Sequence, residues 1–390
     1  MTTDKTTLLG GLSVGQFLAE YWQKRPLLVR QAFPAYEMPI TPGELAGLAC
    51  EEDVESRLIL EKDGESPWQL EHGPFHEERF LALPHTHWTL LVQEINKHVP
   101  EFSLLQDRFD FIPGWRLDDV MVSYAPDRGT VGPHADNYDV FLIQGLGRRR
   151  WQINRRAPQA DELVPGLPLR IMAEFEAEDD WLLEPGDMLY LPPGVAHYGV
   201  AEGDSMTISV GFRAPQHIDM LTHFVHDHAQ SLDEETFYAD PDLTAQPSPG
   251  LIEPSALRRI REVIRSLPLD DEAIDRWFGR YITEPRPGHD VPLPTDSLDT
   301  ETMKRLLRAD RKLWRSEYCR FAYQHGSGGV TRLYVAGQEH ILPPDLAFAA
   351  PLLCDHRVFD KVLLTPHLAN RTFLELLCRL HQDGALYFDP

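Results

Sequence analysis

The chain has 390 residues, enough for two or three compact units, and its 42% apolar and 10% aromatic content builds real cores and excludes wholesale disorder. Against 37 Lys and Arg stand 61 Asp and Glu, a net charge of −24, so most of the surface should repel nucleic acid and anionic lipid and attract a basic partner. No apolar run is long enough to span a membrane, and the first residues lack the apolar core of a secretory signal. Cys50, Cys319, Cys354 and Cys378 stand apart with no CxxC, which points to reduced thiols in the cytoplasm rather than a disulfide frame or a zinc site.

Residues 1–115 mix helical and extended signals. A short amphipathic helix is predicted over 13–21, capped by Ser13, and another over 41–49, where Thr41-Pro42 opens and Glu44 holds the capping-box position. From 117 to 215 the texture becomes β-rich: DDVMVSY, YDVFLIQG, RRRWQIN, WLLEP, MLYLPP and MTISVGF, split by Gly and Pro, argue for a sandwich or barrel. Helices follow over 216–233, 255–266 and 270–283, with linkers at 240–250 and 284–295. The remainder predicts helices over 300–316, 345–354, 358–366 and 371–382, and strands over 318–324 and 330–336 that meet at Gly326–Gly329. Such an α+β unit resembles a winged helix, but it lacks the concentrated basic helix of a DNA reader. The glycines at 326–329 lie between strands and make a turn, not a phosphate loop.

In GPHADNYDVFLIQG, His134 and Asp136 stand two apart at the head of a strand-like run, so period-two alternation points both to one face. In EPGDMLYLPPGVAH, two tight turns flank a buried strand and deliver His197 inward. Two imidazoles and one carboxylate on one side of an ion leave three positions open, the facial triad of non-haem iron(II) oxygenases. An HxD pair alone is weak among seventeen histidines; joined to the PGD-strand-PPGxxH module it is specific. Arg149, on the next strand-like run, suits the distal carboxylate of a 2-oxo acid, while Arg148 and Arg150 face the other way, to solvent or an ion pair. Thr207 and Ser209 place hydroxyls on one face of an apolar strand, fit for a carboxylate or substrate contact. In LDDVMVSY, Asp119, Met121 and Ser123 share a face; if Ser123 lines the cavity, Asp119 is there too, able to pair with a cationic guanidinium. Tyr138 shares the parity of His134 and Asp136 and could line the same pocket. The groups His223/His226/His228 and His85/His87 are better read as helix and loop histidines than as metal sites.

The stretch from about 115 to 215 resembles the JmjC/cupin family of iron(II)- and 2-oxoglutarate-dependent oxygenases, and more narrowly the bacterial ribosomal oxygenases, which hydroxylate an arginine of a large-subunit ribosomal protein. The residues that carry the narrower likeness are YWQKRP at 21–26, ELAGLA at 44–49, WRLDD at 115–119, VGPHADNYDVFLIQGLGRRRW at 131–151, EPGDMLYLPPG at 184–194 and SVGFRAP at 209–215. Many JmjC enzymes carry Lys where this chain has Arg149, a change in carboxylate geometry and not in reaction type.

The resemblance implies a mainly β protein with helices: a double-stranded β-helix (jelly-roll) catalytic domain over 1–215, a helical dimerisation region over 216–284 and a winged-helix-like domain over 285–390. It makes His134, Asp136 and His197 the Fe(II) ligands and catalytic centre. Arg149, with Ser123 and Thr207, would bind 2-oxoglutarate, the cosubstrate alongside O2; Asp119, Met121, Tyr138 and Ser209 would contact substrate. It further implies a cytoplasmic homodimer acting on a basic ribosomal protein, with no direct nucleic-acid or membrane partner. Two alternatives stay open: hydroxylation of a ribosomal histidine, and a non-oxidative metal-binding cupin with no use for Arg149.

Overall fold

Both predicted capping boxes form. In the computed structural model Ser13 Oγ accepts from Gln16 N at 3.2 Å while Gln16 Oε1 accepts from Ser13 N at 2.9 Å, opening the helix Val14–Glu20. Thr41 and Glu44 do the same for Pro42–Leu48. Helices this short persist only through packing, and Phe17 and Leu45, both fully buried, supply it. The structure describes residues 5–388 apart from 62–67, 160, 161, 234, 246, 247 and 287–289, so parts of both predicted linkers lie outside the described residues. The chain divides into two compact units, Met1–Ala214 and Pro215–Pro390.

The first unit is built on ten strands: β1 (Leu27–Val29), β2 (Ser56–Leu60), β3 (Gln69–His72), β4 (Trp88–Val92), β5 (Leu117–Ala125), β6 (His134–Ala135), β7 (Val140–Asn154), β8 (Asp179–Leu183), β9 (Met188–Leu191) and β10 (Ala196–Phe212). They hydrogen-bond in the order β1-β9-β7-β10-β5-β4-β2-β3, with β6 on β10 and β8 on β7, and every pairing is antiparallel. Alternation sorts the side chains. Val120, Val122, Phe141, Ile143, Ile208 and Val210 enter a large core with Phe17, Phe102 and Phe109, while Leu142, Trp151, Ile153, Leu189 and Leu191 gather on the other face. On that second, concave face Thr207 stands opposite both Ser123 and Gln144, and Ser209 opposite both Met121 and Leu142.

The runs predicted as separate strands at 138–145 and 148–154 are one fifteen-residue strand, β7. The glycines that suggested a turn instead make a bulge: Gly147 has φ +62, a Cβ there would lie 1.8 Å from Asp204 O, and the pairing with β10 shifts between Glu202 and Met206. Strand β10 likewise extends seventeen residues, back from MTISVGF to Ala196, and so includes His197.

In the second unit the helices His217–Ala229, Pro254–Arg265 and Asp271–Thr283 match expectation, the first ending four residues early. The helix predicted over 300–316 stops at Arg308. Asp310 turns the chain with φ +66, and Leu313–Arg315 (β11) pairs on both edges, with β15 (Val358–Phe359) and β16 (Leu386–Phe388). Residues 358–366 therefore begin as a strand, with α-helix over Lys361–Leu364 and a 3-10 turn from Thr365 to His367. The helix predicted over 345–354 forms as Ala349–Asp355, and Arg371–Gln382 forms as expected behind the Asn370 cap. Strands β12 (Phe321–His325), β13 (Thr331–Val335) and β14 (Gln338–Leu342) make a second three-stranded sheet, and the turn at 326–329 joins its first two strands. Leu307, Leu313, Phe359, Phe373 and Leu377 centre the core of this unit. Among the described residues no helix is long and apolar enough to cross a membrane.

Candidate metal and 2-oxo acid site

Strand β6 lies against the start of β10 with His134 directly opposite His197, and the two rings stand 4.3 Å apart between centroids. Asp136 follows β6, its carbonyl accepting from Gly194 N at 2.8 Å, so the PPG turn before His197 also fixes the carboxylate's backbone. Asp136 lies 4.0 Å from His134 Nε2 through Oδ1 and 3.7 Å from His197 Nε2 through Oδ2. Ligand atoms of all three lie within 4.8 Å of one another, the one such group among the described residues. Each imidazole is also oriented: Nδ1 of His134 donates to Gly132 O at 2.9 Å, and Nδ1 of His197 to Val195 O at 3.0 Å. A carbonyl can only accept, so both rings carry their proton on Nδ1 and turn an Nε2 lone pair to the centre. Burial, then the neighbouring His134, push the His197 pKa down to about 4, so it is neutral and ready to ligate at physiological pH.

The strand read across 134–138 is interrupted. Residues 137 and 138 form a bend between β6 and β7, so the bend and not strand alternation sets the direction of Tyr138. Tyr138 is exposed overall, yet the enclosure of its phenol and the nearby charges of Asp136 and Asp119 hold its pKa above the ordinary range.

Arg149 is 2% exposed on the concave face. One nitrogen, Nη2, donates to Gly199 O at 3.1 Å and the guanidinium lies 5.2 Å from the Trp151 ring, but Nε and Nη1 have no hydrogen-bond partner. Burial without a carboxylate lowers its pKa to about 10. Trp151 stands 5.8 Å from the His197 ring, linking the arginine to the triad. A side chain at Gly199 would collide with both Arg149 and Trp151, its Cβ 2.7 Å from Arg149 Nε. Buried guanidinium groups need acceptors, and the missing acceptor here has the chemistry of a carboxylate. Arg148 and Arg150 face outward, Arg150 pairing with Asp180 at 2.7 Å and Glu202 at 2.9 Å.

Ser123 and Thr207 are buried beside each other, Ser123 Oγ donating to Thr207 O at 3.4 Å. Thr207 Oγ1 donates to Gln144 Oε1 at 3.3 Å, and Gln144 Nε2 to Ser205 Oγ at 3.0 Å. Gln144 joins this row unpredicted, although its place at the end of DVFLIQ, in step with Leu142, gave the signal. Asp119 is buried and accepts at Oδ2 from Gln93 Nε2 at 2.6 Å and Glu94 N at 3.3 Å. Nothing in the sequence marked Gln93, whose place depends on the pairing of β4 with β5. Three of the other histidines have structural partners: His223 lies between Glu284 (3.0 Å) and the Trp277 indole (3.0 Å), His226 bonds Gln230, and His87 bonds Thr86; His228 Nε2 is buried without a hydrogen-bond partner.

The JmjC domain profile matches residues 104–220 and that of the ROXA-like winged helix residues 264–387. The ribosomal protein uL16 3-hydroxylase of Escherichia coli is 41% identical over 279 residues, covering 71% of this chain and 73% of that protein. This chain belongs to the ribosomal oxygenase family of JmjC proteins. A probable ribosomal oxygenase of Haemophilus influenzae is 31% identical over 338 residues, 83% of this chain and 80% of its own. The fold agrees with the family: the crystal structure of E. coli YcfD superposes with a TM-score of 0.83 at 34% identity, covering 97% of this chain and 98% of that one. A second YcfD structure, in complex with cobalt and 2-oxoglutarate, superposes at 0.81 with the same identity, covering 97% and 99%. The JmjC/cupin core and winged-helix-like C-terminal domain expected of the sequence are therefore this chain's architecture.

Proposed function

We propose that this protein is an Fe(II)- and 2-oxoglutarate-dependent dioxygenase that hydroxylates an arginine side chain of a large-subunit ribosomal protein. The observation that carries the reading is Arg149: an enclosed guanidinium short of acceptors, coupled through Trp151 to three convergent metal-ligating side chains. His134, Asp136 and His197 would hold the iron and Arg149 the distal carboxylate of 2-oxoglutarate, with Ser123 and Thr207 beside it. When bound, iron and 2-oxoglutarate supply the oxidising power, using O2 and releasing succinate and CO2.

The chain's own residues do the rest. The Gly132 and Val195 carbonyls keep the Nε2 lone pairs on the centre, and Arg149 fixes the cosubstrate's far end so that its orientation is set. Leu142, Leu189 and Leu191 keep the pocket dry. Asp119, with Met121, Tyr138 and Ser209, would hold the substrate side chain; a buried carboxylate favours a cation, and the net charge of −24 favours a basic protein. The name of the E. coli relative, a uL16 3-hydroxylase, makes that ribosomal protein the first substrate to try. A cytoplasmic homodimer follows from the same reading, with Ile218, Leu221, Ile260 and Ile264 exposed on two helices as its candidate interface. Sedimentation equilibrium tests the dimer.

The deciding experiment compares ribosomal proteins from cells with and without this gene by mass spectrometry, alongside succinate release by the purified protein. One oxygen gained on an arginine upholds the reading; on a histidine, it transfers the activity to the other residue. No added oxygen and no O2-dependent succinate leaves a metal-binding cupin.

A further inference from the structure

Three neighbouring strands bring a line of polar side chains to the concave face, and the hydroxylase chemistry leaves two of them unused. Arg57 pairs with Leu91 and Leu91 with Ser123, so Arg57, Gln93 and Asp119 share the face of Ser123. Arg57 donates from Nη2 to Gln93 Oε1 at 3.2 Å, and Gln93 Nε2 donates to Asp119 Oδ2 at 2.6 Å. The amide can stand only one way round: a carboxylate accepts, so the nitrogen faces Asp119 and the oxygen faces the donor that Arg57 provides. Asn96 Oδ1 accepts from Val120 N at 2.9 Å, fastening the same loop to β5.

The contacts from Gln93 and Glu94 both fall on Oδ2. On the other side, a Cβ built at Gly211 would lie 3.4 Å from Asp119 Oδ1, ordinary contact distance, so the glycine leaves a methyl-sized space there.

We infer that Arg57 and Gln93 are positioning residues that fix the rotation of the Asp119 carboxylate, and that Gly211 keeps room beside it, so that the site selects a guanidinium over an ammonium. This rests on Asp119 as the substrate contact proposed above. A planar fork needs a carboxylate held in one plane; a point-like ammonium does not.

The test titrates argininamide and lysinamide into the full-length, metal-free protein by calorimetry, with Tm measured for every variant. The wild type should prefer argininamide about tenfold, the scale of one charge-assisted hydrogen bond. Gln93→Met and Arg57→Met should bring the preference to near unity by weakening argininamide. Arg57→Lys keeps a donor for Gln93 and should restore it. Gly211→Ala, whose Cβ fits the fold, should weaken argininamide more than lysinamide. An indifferent wild type, or a folded Gln93→Met protein that keeps the preference, overturns the inference. If Gln93→Met fails to fold, equal preference in Arg57→Lys and Arg57→Met overturns it instead. A protein that discriminates as expected but oxidises no ribosomal protein upholds the relay and sinks the hydroxylase reading. One that hydroxylates arginine while Gln93 proves irrelevant does the reverse.

Discussion

Arg149 in the first unit and Arg332 in the second are buried almost equally, 2% and 6% exposed. Arg332 lies between two carboxylates, Glu272 at 2.5 Å and Glu339 at 3.1 Å, and Glu339 also takes Arg276 at 2.7 Å. Arg149 has a carbonyl, an aromatic face and two nitrogens without hydrogen-bond partners. Depth is the same; neutralisation is not. A buried charge with its counterions is an architectural feature, whereas one lacking them is suited to a ligand that brings its own.

That contrast can be broken by substitution. The largest effect belongs to the triad: Asp136→Ala should cut O2-dependent succinate release by a thousandfold or more, on the order of complete ligand loss, with little change in Tm. A comparable loss of stability instead would make Asp136 structural. Next, Glu339→Ala leaves Arg332 and Arg276 short of a partner and should cost about 3 kcal/mol in urea denaturation of the second unit. Arg149→Ala should show the opposite signature, raising the 2-oxoglutarate KM about a hundredfold while stability stays within about 1 kcal/mol, because the deleted charge had no carboxylate to lose. The smallest change, Arg149→Lys, keeps the charge without the fork and should raise that KM about tenfold. An Arg149→Ala protein that unfolds like Glu339→Ala would erase the distinction between the two arginines.

The sequence revealed most where chemistry is written locally. The spacing of His134, Asp136 and His197 marked the triad, and Ser13 and Thr41 marked their helices, since a cap reaches only three residues ahead. It revealed least where long-range pairing decides. Leu313–Arg315 carries a helical continuation by composition, yet becomes a central strand because two distant segments pair with it. Gly145 and Gly147 suggested a turn, and only the register against β10 makes them a bulge. Tyr138 was placed by an alternation that the bend interrupts, and Gln93 could not be placed at all, because Asp119 is twenty-six residues away.

Each triad imidazole is steered by a carbonyl just two residues upstream on its own segment. Tautomer choice is thereby set within a few residues of backbone, with no group from another strand needed. A metal held here would meet two Nε2 donors whose tautomer the local backbone has fixed, with Asp136 as the one ligand not steered in that way.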